Sequence, residues 1–120
     1  MDKVREVESL DRGALRDVAR MFDVLAEPTR LQILQALASG PKYVGELVDQ
    51  LDAKQANVSK QLGVLHQAGL VTRERDGLLV RYGVSEPMIF ELCSLVCGKL
   101  RRDAQARVAS LPEPPRPRKR

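Results

Sequence analysis

At 120 residues and 43% apolar, with only two Phe, two Tyr and no Trp, the chain can build one domain around an aliphatic core. Three of its four net positive charges sit in the last ten residues, where Arg116, Arg118, Lys119 and Arg120 meet only Glu113, so overall basicity is no argument for nucleic acid. No apolar run approaches a membrane span and no signal-peptide core leads the chain, which excludes a membrane partner and makes the cytoplasm the expected compartment.

Residues 1–9 are charged and expected to be flexible. From Leu10 the apolar positions Leu10, Ala14, Val18, Met21, Phe22 and Leu25 keep helical spacing, with Ser9 or Asp11 available as N-cap. Pro28 suits the first turn of a second helix carrying Leu31, Ile33, Leu34 and Leu37, and Ser39-Gly40-Pro41 stops it. A short third helix spans roughly Val44 to Leu51, with Val44, Leu47, Val48 and Leu51 at i, i+3, i+4 and i+7. Asp52-Ala53-Lys54 leaves room only for a tight turn into the next helix.

That next helix holds Gln55-Ala56-Asn57-Val58-Ser59-Lys60-Gln61-Leu62-Gly63-Val64-Leu65. Val58, Leu62 and Leu65 form its buried stripe. The opposite arc carries Ala56, Asn57, Lys60, Gly63 and Val64, flanked by Ser59 and Gln61, and no acid occurs from residue 53 to residue 73. Small residues allow close approach, while amide, hydroxyl and ammonium groups suit phosphate oxygens and base edges. The expected contacts to a DNA groove are Gln55, Asn57, Ser59, Lys60 and Gln61. Two short helices joined by such a turn make a helix-turn-helix, whose second member reads the major groove.

After Gly69 the period changes from 3.6 to 2. Val71–Arg75 and Leu78–Val84 flank Asp76-Gly77, a dipeptide suited to a two-residue type I′ hairpin that pairs Arg75 with Leu78, Arg73 with Val80 and Val71 with Tyr82. Val71, Val80 and Tyr82 are expected inside. Arg73, Arg75 and Arg81 cluster around the hairpin as phosphate or minor-groove contacts, or else as a solvated tip. A helix-turn-helix followed by a basic hairpin predicts a winged helix: mainly α with a β-hairpin wing and about five helices.

Ser85, as cap, and Pro87 open a last helix with the stripe Ile89, Leu92, Cys93, Val96, Cys97 and Leu100. A small trihelical core cannot use this helix and the first one in full, so their surplus apolar faces predict a homodimer through the first and last helices. The expected organisation is a flexible segment 1–9, a DNA-binding and dimerisation domain 10–110, and a disordered basic tail 111–120 that holds four of the seven prolines.

The residues resemble the ArsR/SmtB family of dimeric bacterial winged-helix repressors. The resemblance rests on Leu25-Ala26-Glu27-Pro28-Thr29-Arg30-Leu31-Gln32-Ile33-Leu34, on Asn57-Val58-Ser59-Lys60-Gln61-Leu62, on Leu65-His66-Gln67-Ala68-Gly69-Leu70-Val71, and on the wing through Tyr82. It covers about residues 10 to 105, and four blocks in this order and spacing are a strong pattern. It implies an operator-binding dimer whose DNA affinity an inducer lowers, often a metal ion or thiol reagent. Gln61 stands where the family usually has His, and Lys54 where it has a small hydroxyl cap. The family's thiol motif in the third helix and its His- and Asp-rich site in the last helix are both missing here.

Cys93 and Cys97 lie one turn apart and are expected as reduced thiols. Cysteine often serves as a small buried hydrophobe, and that reading stands beside a sensory one. In the second, two-fold symmetry gathers four thiols for a soft ion such as arsenite, Cd(II) or Zn(II). His66 is expected to be a satisfied structural residue. As the single histidine it leaves no Ser-His-Asp or Cys-His arrangement, and no glycine loop cradles phosphate, so the chain is not read as an enzyme. The expected function is a repressor on a roughly palindromic double-stranded operator, with half-sites about one helical turn apart. Alternatives are the same repressor without metal sensing and a winged helix used to bind proteins.

Overall fold

The computed structural model describes residues 3–115 and Pro117. Its elements run α1 (Lys3–Glu8), α2 (Arg12–Leu25), α3 (Pro28–Leu37), β1 (Lys42–Tyr43), α4 (Val44–Leu51), α5 (Gln55–Gln67), β2 (Val71–Asp76), β3 (Leu79–Val84) and α6 (Met88–Ser110). Among the described residues there are thus six helices where about five were expected. The addition is α1, which buries no residue, in the stretch expected to be flexible. Ser9 Oγ donates to the Glu6 carbonyl at 2.8 Å and so belongs to the end of α1. Asp11 is the cap of α2, its Oδ1 accepting from the Ala14 N–H at 2.8 Å.

The chain divides between Glu86 and Pro87 into two compact units. In the first unit α3, α4 and α5 pack on one another around an aliphatic core. That core holds Leu25, Ile33, Leu34, Ala36, Leu37, Leu47, Val58, Leu62, Leu65, Leu70 and Val71, with Tyr82 its one large aromatic. Val58, Leu62 and Leu65 are fully buried, as their spacing predicts. Much of α2 faces outward, with Leu15, Val18 and Phe22 exposed.

The helix-turn-helix is made by local chemistry. Pro28 occupies the first turn of α3, and the Glu27 carboxylate accepts from the Arg30 N–H at 3.1 Å. At the start of α4 the Glu46 carboxylate accepts from the Tyr43 N–H at 3.0 Å. Asp52 then adopts a left-handed φ of 48°, turning the chain through Ala53 and Lys54 into α5. Lys54 supplies no side-chain cap.

The sheet has the order β1-β3-β2, antiparallel throughout. Its third strand, β1, was not visible in the hydrophobic pattern, since two residues carry no period. The hairpin register also differs from expectation by two residues: Val71 pairs with Val84, Arg73 with Tyr82 and Arg75 with Val80. A type I′ turn on Asp76-Gly77 would need positive φ at both positions. Instead β2 runs on through Asp76, and Gly77 takes the first central position with φ 64°, the preference of a II′ turn. A slip of two keeps every side chain on its expected face, so Val71 and Tyr82 stay buried while Val80 is half-buried. Space at Gly83 is tight: a Cβ there would stand 3.1 Å from Thr72 Oγ1 and 3.3 Å from Pro41 Cγ, so those side chains would have to give by a few tenths of an ångström.

Ser85 does not cap the last helix. Its hydroxyl donates to the Gly69 carbonyl at 2.9 Å, and its N–H to that of Leu70 at 3.0 Å, tying the end of the wing to the end of α5. The second unit is α6, 23 residues and about 34 Å long, which starts at Pro87 without a side-chain cap. Residues 111–115 have no regular secondary structure, and the tail cations Arg116, Arg118, Lys119 and Arg120 lie outside the described residues.

A candidate nucleic-acid interface

The exposed arc of α5 is built by its own stripe. With Val58, Leu62 and Leu65 turned to the core, Gln55, Asn57, Ser59 and Lys60 are left at the surface. Gln61 is not with them. It is only 8% exposed, and its Oε1 accepts from Arg30 Nε at 2.8 Å while its Nε2 donates to Asn57 Oδ1 at 3.1 Å. On the helical wheel Gln61 lies about 40° beyond Leu65, at the edge of the buried stripe, and a buried amide requires partners. It is corrected here from groove contact to internal bridge.

Arg30 is the residue that sequence reasoning missed. Its Nη1 also donates to the Val24 carbonyl at 3.0 Å and, at 3.5 Å, to the Asp23 carbonyl, which already accepts from the Ala26 N–H at the C-terminal end of α2. A signal existed: Arg30 precedes Ile33, Leu34 and Leu37 by three, four and seven residues, putting a cation on a core stripe that must find acceptors.

The wing arginines do not form one cluster. Strand alternation puts Arg73 and Arg75 on the face of β2 that also bears buried Val71. Arg81 lies on the other face, where its Nη2 meets Glu74 Oε2 at 2.8 Å. That carboxylate raises the Arg81 pKa, through the hydrogen bond first and its charge second. The same face carries Tyr43, whose hydroxyl donates to Asp76 Oδ2 at 2.6 Å and whose pKa is raised for that reason. Among the described residues Arg73, Arg75 and Lys60 have no ion-pair partner.

Between α5 and the wing lies a cleft of about 670 Å³ whose lining includes Gln55, Ser59, His66, Arg73 and Tyr43. The His66 side chain lines it at an exposed position and makes no hydrogen bond among the described residues, so it is not the satisfied structural histidine expected. The arrangement offers an acid-free helix surface beside uncompensated guanidinium groups, which suits an anionic, groove-bearing polymer. In the second unit Cys93 is half-buried and Cys97 exposed, both as free thiols. No group of three metal-ligating side chains occurs among the described residues.

Residues 27–73 match the family described as bacterial regulatory protein, arsR family. An HTH-type transcriptional regulator of Mycobacterium tuberculosis, Rv0081, is 39% identical over 94 residues, which cover 78% of this chain and 82% of that one. The chain belongs to the arsR family. Crystalline Rv0081 superposes on this arsR-family chain with a TM-score of 0.67 at 32% identity, over 90% of this chain and 99% of that chain. The antimony-specific transcriptional repressor AntR gives a TM-score of 0.70 at 28% identity, over 81% and 88% of the two chains. A third neighbour is the homodimeric winged helix-turn-helix DNA-binding domain Mb0332 of Mycobacterium bovis, at TM-score 0.64 and 32% identity, over 77% and 87%. This arsR-family protein is accordingly a winged helix-turn-helix, DNA-binding transcriptional regulator. No described helix is long and apolar enough to cross a membrane.

Proposed function

We propose that this protein is a cytoplasmic, homodimeric repressor that holds a roughly palindromic operator and releases it when an inducer binds. The observation that carries the reading is the acid-free exposed arc of α5, next to Arg73 and Arg75 on the core-side face of the wing. Gln55, Asn57, Ser59 and Lys60 take the major groove in this reading, and Arg73 and Arg75 the flanking phosphates or minor groove. The exposed apolar side chains of α2 (Leu15, Val18 and Phe22) and of α6 (Leu95, Val96 and Leu100) support two-fold pairing. So does the homodimeric state stated for the M. bovis neighbour. Domain 10–110 carries both activities, and the basic tail adds unspecific phosphate contacts.

The inducer reading rests on Cys93 and Cys97, one turn apart on α6. Among the described residues one chain supplies two thiolates and no third ligand nearby, so a site for arsenite, Cd(II) or Zn(II) is completed by the second copy. Likeness to an antimony-specific repressor supports a soft metalloid as the signal. A Cys93→Ser/Cys97→Ser variant should bind operator and ignore inducer. Release from that variant would remove the pair from the sensing role and leave it as small apolar packing.

The deciding experiment is a gel shift on DNA upstream of the protein's own coding region, with and without arsenite, Cd(II), Zn(II) and an oxidant. A salt-sensitive complex that one of these dissolves is the expected result. Failure to retard any promoter duplex at low ionic strength would overturn the DNA-binding reading, and a complex unmoved by all four would overturn the inducer.

A further inference from the structure

We infer that Arg30, acting through Gln61, decides which atom of Asn57 is turned toward DNA, so that the protein favours a base with a major-groove acceptor at that position. The inference rests on α5 being the groove-reading helix. The argument is one of hydrogen-bond polarity. A guanidinium group has five donors and no acceptor. Arg30 Nε therefore meets the oxygen of Gln61, at 2.8 Å, and a flipped amide would set donor against donor. With Oε1 committed, Nε2 of Gln61 faces Asn57 and donates to its Oδ1 at 3.1 Å. Asn57 in turn has its oxygen held inward, and its Nδ2, exposed and without a partner among the described residues, is the group left for a ligand.

Arg30 is itself fixed by the carbonyls of Asp23 and Val24, so it cannot readily turn away from Gln61. Gln61, at 8% exposure, has little access to water that could replace these partners. The direction of the relay is thus set by a residue of α3, outside the helix that reads the groove. Of the major-groove edges, guanine offers N7 and O6, adenine N7 and thymine O4, whereas cytosine offers only a donor. An outward amino group on Asn57 discriminates against cytosine.

The test is selection of bound duplexes from a randomised pool by wild type, Gln61→Glu and Asn57→Asp, followed by sequencing. In Gln61→Glu the introduced carboxylate still accepts from Arg30 but accepts from Asn57 as well. The Asn57 amide should then reverse and turn its oxygen outward. Preference at one position per half-site should swing by about tenfold toward the donor-bearing bases, cytosine and adenine. Asn57→Asp lies at an exposed position and leaves the packing of Gln61 untouched. It keeps the inward acceptor, removes the outward donor, and should swing the same position the same way.

A merely structural role for Arg30 and Gln61 would weaken binding evenly and leave the base profile alone. An unchanged profile in both variants overturns the inference, as does a swing in Asn57→Asp without one in Gln61→Glu. If Gln61→Glu does not fold, an unchanged profile in Asn57→Asp overturns it alone. Wild-type protein that selects no motif would instead overturn the DNA-reading function on which the relay depends.

Discussion

Arg73 and Arg81 lie on neighbouring strands and look equivalent in sequence, yet their removal should have different consequences for DNA binding. Arg73 is exposed, without an ion-pair partner among the described residues, and on the same strand face as buried Val71. Arg81 is on the opposite face, spent on Glu74 at 2.8 Å. Each phosphate contact steepens the plot of log affinity against log salt by about 0.9. In a two-fold complex Arg73→Ala removes two contacts, so the slope becomes shallower by about 1.8. Between about 50 and 200 mM salt the advantage of wild type over Arg73→Ala should then shrink about twelvefold. Glu74→Ala/Arg81→Ala, which removes the ion pair without changing net charge, should keep the wild-type slope. Fluorescence anisotropy of a labelled operator over a salt series measures both. If removing the pair flattens the slope as much as Arg73→Ala does, the assignment of strand faces to DNA is wrong.

Leu62 is fully buried at the centre of the α5 stripe, so Leu62→Ala should destabilise by about 2–5 kcal/mol in urea unfolding, and a loss under about 1 kcal/mol would contradict the packing. Asp52 holds a left-handed φ of 48°, and Asp52→Gly should raise the urea midpoint, by about 0.5–1 kcal/mol of stability; a lowered midpoint would mean that the aspartate side chain stabilises the turn. The Tyr43 hydroxyl donates to Asp76, which raises its pKa above 10.0 and favours the protonated phenol in the folded state. That contribution is complete below pH 10.0 and is lost as pH climbs through the folded-state value. Tyr43→Phe should therefore be less stable than wild type near neutrality, and the gap should narrow in strong alkali; a gap constant with pH would exclude the bond as its source.

Much of the site was legible as helical pattern and little of it as partnership. Gln61 illustrates the difference. Its place three residues after Val58 and four before Leu65 was there to be counted, but a polar residue at the edge of an apolar stripe faces outward more often than inward. What turned it inward was Arg30, 31 residues earlier in the chain. The wing arginines failed in the same way. Three cations on a short hairpin suggested one basic patch, and the two-residue slip in pairing left their faces unchanged, yet the period of two had already put Arg81 opposite to Arg73. Glu74 was visible in the sequence, but its pairing with Arg81 depends on a register that the turn decides.

Helix order, the tight turn before α5, the aliphatic core and the wing followed from periodicity and from Pro, Gly and Asp at the element ends, because these act over a few residues and need no distant partner. The acid-free arc of α5 is of the same kind, since a stripe of buried residues leaves the opposite side of the helix facing out. Folding in three dimensions decided the rest: the second strand partner of β3, the commitment of Arg81 to Glu74, and the chain of bonds from Val24 through Arg30 and Gln61 to Asn57. Each of these joins groups from separate elements. A hydrogen bond has a direction and a reach of about 3 Å, so it exists only once packing has brought the two groups into line.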